Sequence, residues 1–236
     1  MRPRPRRQSR EILGDANKKD CISIKMVQKF IFKSPNRPTF ECTLKSQRCI
    51  GKVNARSRKS RERSTGRCKR RVVMGLQLCP THLKSDAHLE IKPSTIAGAG
   101  SGVFAYNHDA ETEIVFKPMQ RISEYKGELI TGKQLNERYG NFTAPYGMEL
   151  SPDRFIDSAC VRSYSSMVNH APAKKSNARF SLSGDRKHVY LVATKRIRHG
   201  DEILINYGRS YKFNDPTEHM TVKRSRSKKR SKRRST

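Results

Sequence analysis

Charge placement constrains this chain more than any other feature of its sequence. The 236 residues carry a net +30, yet residues 88–213 hold 18 Lys or Arg against 13 Asp or Glu, a net of only +5. The rest of the excess lies in the flanks, mostly in three runs: residues 2–10, residues 45–71 with Glu62 as the one acid, and residues 223–234 with none. Such runs repel themselves and stay disordered or bound to a partner. The middle is therefore expected to fold, as one core with polar flanks. A polyanion suits the flanks, because each Lys or Arg placed on a phosphate releases a condensed counterion without reading sequence. Nucleic acid or nucleosome is the expected partner, and a solubility tail is the plain alternative. No run approaches the ~18 apolar residues of a membrane span, and the arginine-rich start lacks the apolar segment of a secretory signal. The expectation is a soluble, intracellular protein with no membrane partner. The start could be an organellar transit peptide, but residues 223–234 fit a basic nuclear import signal better, so the nucleus is the expected compartment.

Four regions follow. Residues 1–40 read as a basic, largely irregular stretch, with Pro3 and Pro5 against a helix and an apolar segment at 22–32 that has no evident role. Residues 42–83 hold four of the six cysteines but few aliphatic side chains, and so lack the means to build a core. From residue 88 to 213 short β-like runs alternate with turns, at 102–106, 113–116, 122–125, 154–157, 189–194 and 203–207. One helix is signalled there: Thr131 and Gln134 form a capping box, residues 133–139 make two turns, and Gly140 ends them. Asn214, Asp215 and Pro216 mark the exit into a disordered basic tail, 214–236. The fold class is α+β, mostly β, a domain of short strands flanked by a small metal module and basic tails.

In the cysteine-rich region, Cys49, Cys68, Cys79 and His82 are separated by eighteen, ten and two residues. The closing Cys-x-x-His can aim a sulfur and an imidazole at one ion. A tetrahedral Zn2+ needs four such ligands, and its binding energy would stand in for the missing core. The segment resembles small Cys/His zinc modules with a G-x-C-K-x-x…C-x-x-H pattern. Cys42 is a possible substitute ligand. The alternative is a loop of reduced thiols, since an intracellular protein rarely forms disulfides. Cys21 and Cys160 read as ordinary thiols.

The central region carries four signals in order. Residues 97–105, AGAGSGVFA, are a glycine-rich turn leading into a strand rather than a helix, which excludes a dinucleotide fingerprint. Residues 122–130, ISEYKGELI, come next; then Asn169-His170 with Asn177-Ala178; and last residues 200–208, GDEILINYG. In that order the four resemble the SET-domain family of protein lysine methyltransferases, with its G-x-G turn, E-Y-x-G-E segment, N-H…N-A segment and G-E-E-L-x-x-x-Y-G close. The resemblance implies a β-clip fold with a pseudoknot-like C-terminal part and S-adenosyl-L-methionine as cofactor. By the same likeness, Gly100, Ser101, Gly102 and Val103 line the methionine end of the cofactor. Asn169 and His170 contact it, Tyr207 is catalytic and also borders it, and Tyr125 is a second catalytic candidate.

The chemistry agrees with these residue types. An amine attacks a sulfonium methyl in line, so alignment and exclusion of water matter most. Tyr125 and Tyr207, with Tyr211 and Phe213, can wall a channel whose aromatic faces hold a methylated ammonium. Desolvation and the nearby sulfonium lower the lysine pKa, so no dedicated base is needed. Against this, tyrosines on strands are ordinarily packing residues, and Glu128 and Glu202 read as structural acids. Two departures stand out. Ser166-Met167-Val168-Asn169-His170-Ala171 replaces the family's Arg-Phe-x-Asn-His-Ser, and no cysteine follows Cys160 to close the channel. Ile205, two residues before Tyr207, offers no hydroxyl to block rotation of a methylated amine, which points to addition of more than one methyl. The expected activity is lysine methylation of histone in chromatin. A non-histone basic substrate, or a catalytically silent SET-like module that binds nucleic acid or protein, are the alternatives.

Overall fold

A computed structural model describes residues 29–33, 38–56, 63–73, 75–108, 114–140, 143–208 and 211. The arginine-rich start, Cys21, Phe213 and the basic tail lie outside these residues.

The described end of the N-terminal stretch forms a hairpin. Strands β1 (Lys29–Phe32) and β2 (Phe40–Thr43) form an antiparallel pair. Phe30 and Phe32 are buried, two residues apart and so on one face of β1. There they meet Tyr146 and Tyr139 edge to face. The alternation was too short to stand out in the sequence, and its partners lie more than a hundred residues away. Cys42 and Cys160, taken as a spare ligand and a plain thiol, instead form a disulfide with their Cα atoms 5.7 Å apart. It ties this hairpin to the central domain.

Next, β3 (Ser46–Arg48), β4 (Lys52–Arg56), β5 (Arg63–Arg67) and β6 (Arg71–Val73) nest as two antiparallel ribbons, β4 with β5 and β3 with β6. Helix α1 (Pro80–Ala87) follows, opened by Pro80, whose missing N–H has no partner to lose at that position. His88 caps it in the left-handed conformation, φ 55°.

The central domain is mostly strand. An antiparallel pair, β7 (Leu89–Pro93) and β8 (Ser101–Ala105), flanks the glycine turn. Then come β9 (Ile114–Phe116), β10 (Arg121–Tyr125), β11 (Glu128–Ile130) and helix α2 (Gly132–Tyr139), whose Thr131–Gln134 capping box is formed as the sequence predicts. β12 (Gly147–Ser151) and β13 (Arg154–Asp157) make a sheet ordered β11-β13-β12. After a 3-10 turn at Ser165–Met167 run β14 (Asn169–His170), β15 (Ala178–Leu182), β16 (Val189–Ala193), β17 (Ile197–Arg198) and β18 (Leu204–Ile205). A second sheet is ordered β10-β16-β15, and β9 pairs with β17.

The main core gathers Leu83 from α1 with Leu89, Val103, Phe116, Val168, Leu191, Ile197, Ile203 and Ile205. In β8, residues 102–105 are all buried rather than alternating, because the chain covers them from both sides. β7 lies on one side, and residues 200–203 on the other: Gly200 and Ile203 donate to Ala105 and Val103, and Ala105 donates to Asp201. Beyond that crossing the same segment runs parallel to β14, in the register Asn169–Leu204 and His170–Ile205. One stretch of chain thus threads between the glycine strand and the Asn169 segment.

Candidate functional site

The threading sets up the first site. Glu202 turns inward from the bridge opposite Phe104 and is almost wholly buried. Its carboxylate accepts from Ser94 Oγ at 2.7 Å, from the Thr95 N–H at 2.7 Å and from Asn169 Nδ2 at 3.1 Å. Burial pushes the carboxyl pKa up, but these hydrogen bonds, led by Thr95, outweigh it and hold the group below its ordinary value. A fixed negative charge therefore lies beneath the glycine turn. Gly102 allows it: a Cβ there would overlap Glu202 Oε1 and lie 3.2 Å from Asn169 Nδ2. Gly100 has φ +73°, which bends the turn away and leaves open space beside it.

Asn169 Nδ2 also donates to the Ser101 carbonyl at 3.1 Å, pinning the 169 segment to the glycine turn. Among the described residues its Oδ1 accepts no hydrogen bond, and it is the acceptor left for a ligand. The Tyr207 N–H donates to His170 Nδ1 at 3.1 Å, so this imidazole carries its proton on Nε2. Burial keeps His170 toward its neutral form. The Tyr207 hydroxyl donates to the Val168 carbonyl at 2.7 Å, and its ring lies 4.7 Å, centroid to centroid, from Tyr211. Asn177 completes the frame, with Nδ2 donating to the Glu202 carbonyl and Oδ1 accepting the Leu204 N–H, both at 2.8 Å.

The predicted residues therefore divide. Gly100, Ser101, Asn169, His170 and Tyr207 come together, with Gly100 and Ser101 exposed. Val103 is wholly buried in the core and its carbonyl takes the Ile203 N–H. Tyr125 is buried against Phe180, and its hydroxyl is committed to the Tyr146 carbonyl at 2.7 Å. Burial and the Asp157 carboxylate push that hydroxyl far up. Tyr125 thus packs in the core with its hydroxyl on a backbone carbonyl, as the Tyr207 hydroxyl also is. Glu128 is a structural acid, paired at 2.8 Å with Arg138, which also holds the buried Asp157 at 2.7 Å. Glu202, read the same way, does more: it is the hub that fastens the glycine turn to Asn169. The acidic pair Asp201-Glu202 was visible in the sequence; which of the two turns inward was not.

The second site is the Cys/His cluster. The ligand atoms of Cys49, Cys68, Cys79 and His82 all lie within 4.8 Å of one another, and all four residues are buried. Cys49 and Cys79 Sγ stand 3.5 and 3.3 Å from His82 Nδ1. Neighbouring ligand atoms on a tetrahedral zinc ion are about 3.5 Å apart, given its Zn–S and Zn–N bond lengths, so the donor set fits. His82 Nε2 donates to the Lys52 carbonyl at 2.9 Å, which leaves the Nδ1 lone pair facing the sulfurs. The Cys79 and Gly51 N–H groups point at Cys49 Sγ, and the Arg70 N–H at Cys68 Sγ. Burial raises the Cys79 thiol, but hydrogen bonds from the His82 backbone and side chain, Cys49 and Cys68 bring it down to about 7. Gly51 is required, because a Cβ there would collide with the His82 ring.

The two sites are joined. The Tyr164 hydroxyl, four residues before Val168, accepts the N–H and donates to the carbonyl of Leu78, one residue before Cys79, at 2.7 and 2.8 Å.

No curated protein matches the chain. Among solved structures it is similar to the Chaetomium thermophilum polycomb repressive complex 2, at 24% identity over 57% of this chain and 16% of that one, TM-score 0.42. A form of that complex bound to S-adenosylmethionine gives 25% identity over 52% and 15%, TM-score 0.42. CpSET8 from Cryptosporidium gives 22% over 51% and 57%, TM-score 0.37. The chain thus spans less than a fifth of the polycomb chains, and these likenesses are loose. The family model of the SET domain matches residues 100–208, from the glycine turn to the residue after Tyr207. That stretch begins and ends with the segments that the threading brings together, and this chain accordingly carries a SET domain over residues 100–208.

Proposed function

We propose that this protein is an S-adenosylmethionine-dependent protein-lysine N-methyltransferase acting on histone lysine in chromatin, within the nucleus. The observation that carries the reading is the convergence of Gly100, Ser101, Asn169, His170 and the Tyr207 ring on one face of the domain. S-adenosylmethionine would supply the electrophilic methyl on its sulfonium. Asn169 Oδ1 is placed to accept the donor's ammonium, and the buried Glu202 carboxylate favours a cationic ligand above it. His170, neutral, presents Nε2–H. Tyr207 and Tyr211 hold the lysine amine against their faces and exclude water, so the chain's contribution is alignment and desolvation. The Ile205 side chain is packed in the core and offers no hydroxyl, which supports transfer of more than one methyl. The Cys/His cluster holds a structural zinc ion, and the basic flanks grip nucleosomal DNA.

The test is incubation with radiolabelled S-adenosylmethionine and either nucleosomes or a total protein extract. Label on a histone is the expected result. Label only on another basic protein replaces the substrate, and no label in either case leaves a binding module and overturns the reading.

A further inference from the structure

Residues 45–71 carry twelve Lys or Arg, one acid and no aromatic residue. Within them the register of the β4–β5 ribbon sets Lys52 opposite Arg67 and Arg56 opposite Arg63. Like charges directly across a ribbon destabilise it. Because positions two and four apart share a face, positions 52, 56, 63 and 67 fall on the same face of this ribbon. A mixed pattern would be cheaper for folding alone, and a polyanion laid against this face would relieve the repulsion.

The base of the ribbon is already organised. Arg48 donates to the Cys68 and Arg67 carbonyls, both at 2.8 Å, while Arg67 donates back to the Cys49 and Arg48 carbonyls, both at 3.1 Å. Arg71 is held on Ser46 at 3.1 Å, and Arg70 reaches Thr81 on α1. These arginines are exposed, and among the described residues Arg48, Lys52, Arg67, Lys69, Arg70 and Arg71 form no ion pair. Guanidinium groups fixed by backbone carbonyls have less freedom to lose when they meet phosphate.

We propose that this face of the Cys/His module is a docking surface for the phosphate backbone of duplex DNA. Single strands are held by stacking bases on aromatic rings, and residues 45–71 provide none. A two-stranded ribbon fits the major groove of B-form DNA, whereas the major groove of duplex RNA is too narrow to admit it. The assignment deepens the nucleosome reading above by naming the segment that touches DNA, and rests on that reading only for the source of the duplex.

The experiment uses the full chain, with no S-adenosylmethionine present, and follows binding of a labelled 20-base-pair DNA by fluorescence anisotropy across a salt series. Arg56→Ser/Arg63→Ser should flatten the log–log salt slope by about 2, one phosphate contact per lost cation, while Arg56→Lys/Arg63→Lys restores it. Because the serine variant relieves a like-charge pair, its Tm should stay level or rise. If its Tm falls, Lys52→Ala/Lys69→Ala provides the same slope measurement. Unchanged slopes in both pairs of variants would overturn the proposal, as would tighter binding of a single-stranded RNA than of the duplex. Methylation plays no part in the readout, so a failure here leaves the enzymatic reading standing, and the reverse holds too.

Discussion

The Cys/His module and the SET domain sit side by side in one chain yet are held by different means. Among the described residues, the module's buried cluster is Cys49, Cys68 and Cys79 with one aliphatic, Val72, and Leu76 and Leu78 at its edge. In the SET domain ten buried apolar residues join Leu83 and Leu89 in one cluster, and Tyr125, Leu150, Ile156 and Val189 form another. The first region is rich in cations and brings four side chains fit for a metal together at its centre. The second excludes water by apolar contact and keeps a buried acid, Glu202, where two distant segments must be joined. A highly charged segment can be given a fixed shape if a metal replaces the core that its composition denies it.

The largest expected effect breaks the module alone. Chelation, or Cys79→Ser, removes a metal worth on the order of 10 kcal/mol to a structural site of this kind. Hydrogen exchange should then become fast across β3–β6 while β15 and β16 stay protected. Protection that persists in β3–β6 without metal would sink the comparison. Next is Tyr207→Phe, which tests the SET side. Turnover should fall by about 10²-fold, as for removal of one oriented hydroxyl, with cofactor affinity nearly intact. Unaltered turnover in a single-turnover assay would leave that hydroxyl only a structural tie to the Val168 carbonyl.

A smaller effect attaches to Glu202→Gln, which weakens charge-assisted hydrogen bonds worth about 1.5–3 kcal/mol. The sign of its pH dependence is fixed. The folded-state pKa lies below the ordinary carboxylate value of 4.5, so the stabilisation is complete above that value and is lost as pH falls through the lower folded one. Thermal melts from pH 7 to acid should therefore converge for wild type and Glu202→Gln at the acid end; a gap that widens there would contradict the assignment. The smallest effect tests the joint between the regions. Tyr164→Phe deletes both hydrogen bonds to Leu78, at about 1 kcal/mol. Chelation should weaken S-adenosylmethionine binding in the wild type through Val168 and Asn169, and less so in this variant. Equal sensitivity in the two proteins, measured by calorimetry, would show that the regions act independently.

Much of this was legible beforehand. The capping box at Thr131, the strands at 154–157 and 189–194, and the four residues of the Cys/His cluster are marked by local spacing, which sequence carries directly. The pairing of Phe30 with Tyr146, the Cys42–Cys160 disulfide and the Tyr164–Leu78 clamp join residues 86 to 118 positions apart, and nothing local signals them. Tyr125 and Tyr207 show the same divide within one residue type. Both belong to motifs of the family, but the Tyr146 carbonyl claims one hydroxyl and the Val168 carbonyl, beside Asn169, claims the other.

By itself, then, the order of residues determined which stretches bury apolar surface, which repel one another, and which four side chains are chemically fit for a metal. Composition and short-range periodicity decide those properties, since they depend on neighbours a few positions away. Only the tertiary structure decided that Glu202 rather than Asp201 faces inward, that Gly102 makes room for it, and that Lys52 stands opposite Arg67. Those outcomes depend on strand register and on a segment threaded between two others, where a slip of one residue turns every side chain to the opposite side.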